Sequence, residues 1–284
     1  MRTVYLNGDY LPEDEAKISI FDRGFLFADG VYEVTTVVDG KLIGFEGHYE
    51  RLKRSLSELK MEVDIDRDEL LDIHRQLVAR NDLDQGMIYL QVTRGNPGDR
   101  DFAFPPKDTP PTMVLFTQVK KVIDTPIEEN GLKVISLEDL RWGRRDIKTV
   151  QLLYPSLAKM EAKARGADDA WMVQDGHVTE GTSNNAYIVK DGTIITRNLS
   201  NDILHGITRK SVLACAEALQ MKVEERPFSL EEAYAADEAF ATSASGFANP
   251  IVEIDGHAVG SGRPGPVAKR LRDEYVRENM KAAL

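Results

Sequence analysis

Three short segments contain side chains that could carry out chemistry, although each also has an ordinary structural explanation. Lys148 follows a short apolar position and precedes a probable helix, so its amine is either solvated or available as a nucleophile. Glu180 ends strand-like sequence in TEGTSNN, where its carboxylate either caps a turn or faces a cationic ring nitrogen. Thr208 lies at the start of a predicted helix that follows Gly206. The start of a helix with a hydroxyl can bind phosphate, but the threonine can also be an ordinary helix cap. Each segment taken singly is a weak indication of a site.

Two more segments share this ambiguity. In ATSASGFANP, residues 241–250, small side chains and hydroxyls let backbone amides approach an anion, or they simply form a turn. In the N-terminal half, IFDRGFLFADGVYE precedes a helix that carries Arg51. A surface salt bridge would explain Arg51, and packing in a half-buried sheet would explain Tyr32.

Several classes of site lack their usual sequence signals. None of the five histidines pairs with another histidine or with the lone cysteine at metal-ligand spacing, so we expect no metal site. The chain contains no G-x-S-x-G elbow, no phosphate-binding P-loop and no G-x-G-x-x-G. Simple hydrolase, nucleotide-hydrolase and nicotinamide-enzyme interpretations therefore lose their support.

Composition and charge are those of a globular protein with small-molecule partners. The 284 residues carry a formal net charge of -11, which disfavours general binding to nucleic acid or to an anionic membrane. Cys215 is the only cysteine, so no disulfide within the chain is possible. No long apolar stretch resembles a signal peptide or a membrane span, and the expected location is the cytoplasm.

The elements that must position these side chains follow from turn signals and periodicity. Asn-Gly or Asp-Gly pairs at 7–8, 39–40, 175–176, 191–192 and 255–256 predict hairpins and abundant antiparallel sheet. Apolar residues at helical spacing predict helices over 46–60, 66–80, 150–165, 207–219 and 266–280. Strands are also predicted over 87–95 and 112–119, with a long proline-rich loop between them.

These elements predict an α+β protein of two domains. A small N-terminal α/β domain is expected over 1–119, and a larger, sheet-rich domain over 130–284. Residues 120–129 are polar and show no clear periodicity, so we interpret them as an interdomain linker.

In combination and in this order, the segments resemble one family along nearly the whole chain. The matching motifs are FDRGF, FADG, VYE, HYERL, DIK, LAKMEA, TEG, TSNN, GITR, TSAS and NPIVEIDG. They resemble the fold-type IV pyridoxal-phosphate enzymes, a group that includes branched-chain and D-amino-acid aminotransferases. A chance match of so many motifs in order is improbable.

The resemblance implies a role for each matching residue and a pyridoxal 5'-phosphate cofactor. Lys148 is expected to form the Schiff base with the cofactor and then to move the substrate's Cα proton, and Glu180 to face the pyridine nitrogen. The remaining cofactor-binding residues are expected to hold the phosphate or to pack on the ring: Arg51, Leu204, Ile207, Thr208, Ser243 and, through its amide, Ala244.

Details around the lysine favour the D-amino-acid aminotransferases. Branched-chain enzymes typically follow the lysine with Gly-Asn-Tyr, whereas TVQLLYP follows the lysine here. D-amino-acid enzymes commonly carry Arg-x-His on the loop after the VTRG strand, and here Arg100 matches the arginine but Phe102 occupies the histidine position. The substrate-binding residues implied are Tyr32, Arg100, Phe102, Arg141 and Ser183.

The implied activity is a ping-pong transamination from a D-amino acid such as D-alanine to a 2-oxo acid such as 2-oxoglutarate, by a homodimer. An L-branched-chain aminotransferase, an (R)-selective amine transaminase and an aminodeoxychorismate lyase are alternatives on the same fold. The amine transaminase stays an alternative because Phe102 occupies the histidine position. Without that histidine, a weaker carboxylate-binding site could admit substrates that have no carboxylate. An alternative of another class is a non-catalytic sensor or carrier that binds pyridoxal phosphate.

Overall fold

The computed structural model describes all residues from 1 to 284 and divides them into two compact units. Unit 1 contains residues 1–122, 147–151 and 282–284, and unit 2 contains residues 123–146 and 152–281. The helices and large sheets agree with the predicted α+β class. No helix in the chain is both long and apolar enough to cross a membrane.

Unit 1 is built on a six-stranded antiparallel sheet with strand order β2-β1-β6-β5-β3-β4. The helices α2 and α3 pack on this sheet, and their buried leucines form part of its core. The elements of unit 1 are β1 (Thr3–Leu6), β2 (Asp9–Pro12), α1 (Arg23–Phe27), β3 (Gly30–Val38), β4 (Lys41–Ile43), α2 (Phe45–Glu58), α3 (Arg67–Arg80), β5 (Gly86–Thr93) and β6 (Thr112–Val119).

Unit 2 is built on a nine-stranded mixed sheet with the order β12-β11-β10-β13-β14-β7-β8-β9, and β15 pairs with β14. Its core contains Trp171, Phe228 and several alanines and isoleucines of the central strands. The elements are α4 (Pro126–Asn130), β7 (Leu132–Glu138), α5 (Leu153–Ala164), β8 (Asp169–Gln174), β9 (His177–Gly181), β10 (Asn185–Lys190), β11 (Thr193–Thr196), α6 (Ile207–Ala218), β12 (Lys222–Glu225), α7 (Leu230–Tyr234), β13 (Glu238–Ser243), β14 (Phe247–Ile254), β15 (His257–Ala258) and α8 (Pro266–Lys281).

All five predicted hairpin turns are confirmed. Both residues of each Asn-Gly or Asp-Gly pair have positive φ, and each pair joins two antiparallel strands. The five predicted helices are also present as α2, α3, α5, α6 and α8, with ends that differ from the prediction by up to three residues.

The units differ from the predicted domain ranges in two places. The segment interpreted as a linker, 120–129, is divided between the units, and its last part begins α4 with Pro126 at the first turn. Residues 147–151 and 282–284 join unit 1 although they are remote from it in sequence. Thr149 forms a β-bridge with Val31, and the backbone of Leu284 exchanges two hydrogen bonds with that of Leu42.

Candidate active site

Lys148 lies in unit 1 beside strand β3. The Tyr32 amide donates a hydrogen bond to the Lys148 carbonyl at 3.0 Å, and the Val150 amide donates to Gly30 at 3.1 Å. The lysine amine lies 4.1 Å from the centre of the Tyr32 ring, and no carboxylate pairs with it. The amine is therefore half-buried against an aromatic face, and its reaction with a cofactor stays a prediction.

Arg51 belongs to a buried ion network in unit 1. Its guanidinium donates two 2.7 Å hydrogen bonds to the two oxygens of Glu33, and His48 Nδ1 lies 2.7 Å from the same carboxylate. Burial would raise the pKa of Glu33, but the charge and hydrogen bonds of Arg51, with His48, lower it to about 2. Glu33 therefore orients Arg51, and the phosphate role of Arg51 stays a prediction.

Arg100 and Phe102 lie on the exposed loop between β5 and β6 in unit 1. The Arg100 guanidinium stacks on the rings of Phe27 and Phe102, whose centres are 5.0 and 4.9 Å from it. Arg23 donates hydrogen bonds to the carbonyls of Asp101 and Ala103 and thereby anchors the loop on α1. A guanidinium supported by rings and without a carboxylate partner remains able to bind an anion.

Glu180 is buried at the end of β9 in unit 2 and accepts three hydrogen bonds. Arg141 donates to Oε1 at 2.6 Å, and Asn185 and the Leu204 amide donate to Oε2 at 2.9 and 3.0 Å. Burial raises the pKa of Glu180, and the charge of Arg141 opposes that rise. Arg141 is itself held by two hydrogen bonds to Asp139, at 2.9 and 2.7 Å.

The start of α6, also in unit 2, has the features of an anion site. Gly206 is its N-cap and provides no side-chain cap, so the first amides, including those of Ile207 and Thr208, lack partners within the helix. A Cβ on Gly206 would lie 2.2 Å from Asn185 Oδ1, so only glycine leaves this approach open. Ser243 ends β13 and is half-buried, as is Ala244 in the turn to β14.

Sequence reasoning missed several residues that hold the predicted ones. Glu33 and His48 orient Arg51, and Asp139 and Asn185 orient Arg141 and Glu180. Glu33 lies in the VYE motif and Asn185 in the TSNN motif, so their presence in these motifs could have identified them. Ser183, in contrast, is exposed in the turn between β9 and β10.

A family model described as "Amino-transferase class IV" matches residues 30–254, which include all of the groups described above except Arg23 and Phe27. The chain belongs to the class IV amino-transferase family. The fold-type IV resemblance that the motifs predicted is thereby confirmed, and the protein is an aminotransferase.

Known relatives of this class IV aminotransferase match along its whole length. A D-alanine aminotransferase of Staphylococcus haemolyticus is 39% identical over 277 residues, 97% of this chain and 97% of that protein. A D-alanine aminotransferase of Bacillus licheniformis is 36% identical over 269 residues, 95% of this chain and 94% of that protein. Among solved structures, the branched-chain aminotransferase of the archaeon Thermoproteus uzoniensis with norvaline has a TM-score of 0.85 and 26% identity, over 99% of this chain and 95% of that one.

The cofactor of class IV aminotransferases is pyridoxal 5'-phosphate, and the residues of this chain fit its chemical groups. Lys148 offers an amine without a competing carboxylate for the aldehyde. Glu180 offers a buried carboxylate for the ring nitrogen. The uncapped start of α6 offers amides and the Thr208 hydroxyl for the phosphate.

Proposed function

We propose that this aminotransferase moves the amino group of a D-amino acid, such as D-alanine, to a 2-oxo acid, such as 2-oxoglutarate, in a ping-pong reaction. The supporting observation is the 39% identity to a D-alanine aminotransferase along 97% of both chains. The branched-chain enzyme whose fold matches with a TM-score of 0.85 is only 26% identical. The sequence TVQLLYP after Lys148 also lacks the Gly-Asn-Tyr typical of branched-chain enzymes.

In the proposed chemistry, Lys148 acts as the base and Glu180 provides a fixed negative charge. Pyridoxal phosphate, when bound, supplies an aldehyde for the amino group and a ring that accepts the electron pair left by the Cα proton. Lys148 would hold that aldehyde through Nζ, and once the substrate amine has displaced it, the freed Nζ would carry the Cα proton. Glu180 keeps a negative charge beside the ring nitrogen, and Arg141 stabilises that charge at 2.6 Å.

The other proposed roles concern binding. Ile207, Thr208, Ser243 and the Ala244 amide bind the phosphate, with Arg51 oriented by Glu33, and Leu204 packs on the ring. Arg100 binds the substrate carboxylate, and Tyr32, Arg141 and Ser183 are the other residues proposed to bind the substrate. Because Phe102 replaces the expected histidine, one hydrogen bond to the carboxylate is replaced by an aromatic surface that is 76% exposed.

The active form in this proposal is a homodimer. Its support within unit 2 is a row of exposed apolar side chains on α5, since Leu153, Leu157 and Met160 are 74%, 58% and 61% exposed. These residues recur at helical spacing and form one face. The cytoplasmic location expected from the sequence stays a prediction.

A half-reaction tests the proposed substrate class. The protein is loaded with pyridoxal phosphate and mixed separately with D-alanine, L-leucine and (R)-1-phenylethylamine, and the visible absorbance of the cofactor is followed. We expect rapid loss of that absorbance with D-alanine and at least about 100-fold slower loss with the other two. The ketonic product, pyruvate, should appear in equal amount to the absorbance lost.

The control is Lys148→Ala, which we expect to lower the half-reaction rate by at least about 1000-fold because no other amine replaces the base. Faster reaction with L-leucine or the amine would reassign the substrate class and leave the family unchanged. Continuous pyruvate release from aminodeoxychorismate without an acceptor would identify the lyase, and no spectral response to any donor would identify a non-catalytic binder.

A further inference from the structure

The turn between β13 and β14 contains an unusual backbone conformation in unit 2. The two strands pair antiparallel up to Ser243 and Phe247, and Ala244, Ser245 and Gly246 connect them. Phe247 has φ of 56°, in the left-handed region that bulky side chains rarely adopt. Its ring is buried against Tyr275 of α8, with ring centres 5.0 Å apart. Such a conformation persists only where its surroundings fix it.

Arg272 of α8 provides part of that fixation. Its Nη1 donates a 2.6 Å hydrogen bond to the Gly246 carbonyl, and its Nη2 donates a 2.6 Å hydrogen bond to Glu128 of α4. The guanidinium carbon lies 5.2 Å from the centre of the Phe247 ring. Arg272 is 5% exposed and is therefore a buried cation that joins two helices to this turn.

Tyr275, one turn further along α8, supports the same turn from a second position. Its ring packs on the ring of Phe247, with 5.0 Å between the ring centres, and both side chains are buried. One face of α8 thus contacts the turn through the guanidinium of Arg272 and through the ring of Tyr275.

We propose that Arg272 and Tyr275 are positioning residues for the cofactor phosphate. They hold the 243–247 turn so that its amides and hydroxyls are in place for one anion. The inference rests on the proposed function, because it takes this turn as part of the phosphate site. Neither residue contacts the phosphate itself in this account; each acts through the segment that it holds.

The test compares two ligands that differ only in the phosphate. Full-length protein, stripped of cofactor, is titrated with pyridoxal 5'-phosphate and with pyridoxal, and the ratio of the two dissociation constants measures the contribution of the phosphate. Tyr275→Leu removes the ring that packs on Phe247, and Arg272→Lys cannot reproduce the forked hydrogen bonds to Gly246 and Glu128. Each variant should weaken pyridoxal phosphate binding by about 10-fold and change pyridoxal binding by less than about 2-fold.

The matched control is Tyr234→Leu, which removes a tyrosine ring that stacks on His257 elsewhere in unit 2, with 4.5 Å between the ring centres. The ratio of its two dissociation constants should equal that of the wild type. Equal weakening of both ligands in Tyr275→Leu, or no weakening of either, would overturn the positioning role. Tyr275→Leu carries the test if Arg272→Lys does not fold. Equal wild-type affinities for the two ligands would instead overturn the phosphate site, and with it that part of the proposed function.

Discussion

At the scale of single residues, the protonation of Glu180 depends on two opposing effects. Burial disfavours its charge and raises its pKa, while Arg141 at 2.6 Å favours the charge. Asp139 holds Arg141 in place with two further hydrogen bonds. The rise in the pKa of the carboxyl that is proposed to face the ring nitrogen is therefore opposed by a residue that lies 39 positions earlier in the chain.

Removing Arg141 should change the pH dependence of the reaction. Because Arg141 lowers the pKa of Glu180, Arg141→Met should raise that pKa, and the carboxylate should become protonated at a higher pH. We expect the acid limb of the kcat profile to move upward by at least about one pH unit. Profiles of wild type and Arg141→Met between about pH 5 and about 9 measure the shift, and an unmoved acid limb would contradict the role of Arg141.

Glu33 should make the free energy of unfolding depend on pH in the acid range. Its pKa is lowered from 4.5 to about 2, so the ionised carboxylate contributes stability above pH 4.5 and loses it as the pH falls through about 2. Glu33→Gln leaves Arg51 buried without its anion and should lower the free energy of unfolding by about 3 kcal/mol at neutral pH.

Urea unfolding of wild type and Glu33→Gln at several pH values measures this difference. It should shrink steadily as the pH falls from 4.5 toward 2, because Glu33 then binds a proton in the unfolded wild type but not yet in the folded one. Glu62→Gln is the control, since Glu62 is an exposed partner of Lys107. A difference that is independent of pH would show that Glu33 contributes through its shape and not its charge.

Candidates for a direct chemical role could be named from the sequence, whereas most of the residues that contact them could not. Lys148 and Glu180 stand in short, recognisable motifs. The partners depend on contacts between distant positions, as with Glu33 and Arg51, which are 18 residues apart. A single sequence contains no information on such pairing until the strands and helices are placed.

At the scale of secondary-structure elements, the sequence predicted the turns and long helices, whose formation depends on neighbouring residues. The Asn-Gly and Asp-Gly turns were predicted because both of their residues tolerate positive φ, and the long helices because their apolar faces repeat. The five-residue helices α1, α4 and α7 were missed, since they are too short to show periodicity. The position of Lys148 beside β3 was also beyond local reasoning, because it depends on a bridge between residues 31 and 149.

The start of α6 should not tolerate a side chain at Gly206. The Cβ of Gly206→Ala would displace Asn185, whose amide donates to Glu180 and to the Leu204 carbonyl. We expect the dissociation constant for pyridoxal phosphate to rise by about 10-fold, corresponding to one lost hydrogen bond to a charged group. Equilibrium titration measures it, and Gly143→Ala, which meets open space, should leave it unchanged. Unchanged binding in Gly206→Ala would show that Asn185 is not needed for the site.

At the scale of the whole molecule, the apolar face of α5 should be covered in solution. Leu157→Asp places a charge in the middle of this face and should shift the protein from dimer to monomer, because burying an unpaired carboxylate opposes association. Light scattering during size-exclusion chromatography measures the mass of each species. Lys163→Asp, exposed at the edge of the same helix, is the control and should remain dimeric. A monomeric wild type would contradict the proposed assembly.

The chain crosses between the two units several times, which limits where two related sequences can be recombined. The backbone passes from one unit to the other at residues 122–123, 146–147, 151–152 and 281–282. A recombination event at the first crossing would transfer β3 and Tyr32 without Lys148, whose amine lies on the Tyr32 ring. The reciprocal product would carry the lysine but not the strand that holds it. Neither half contains both Lys148 and the strand that holds it, so a chimera joined at this crossing would pair the lysine of one parent with the strand of the other.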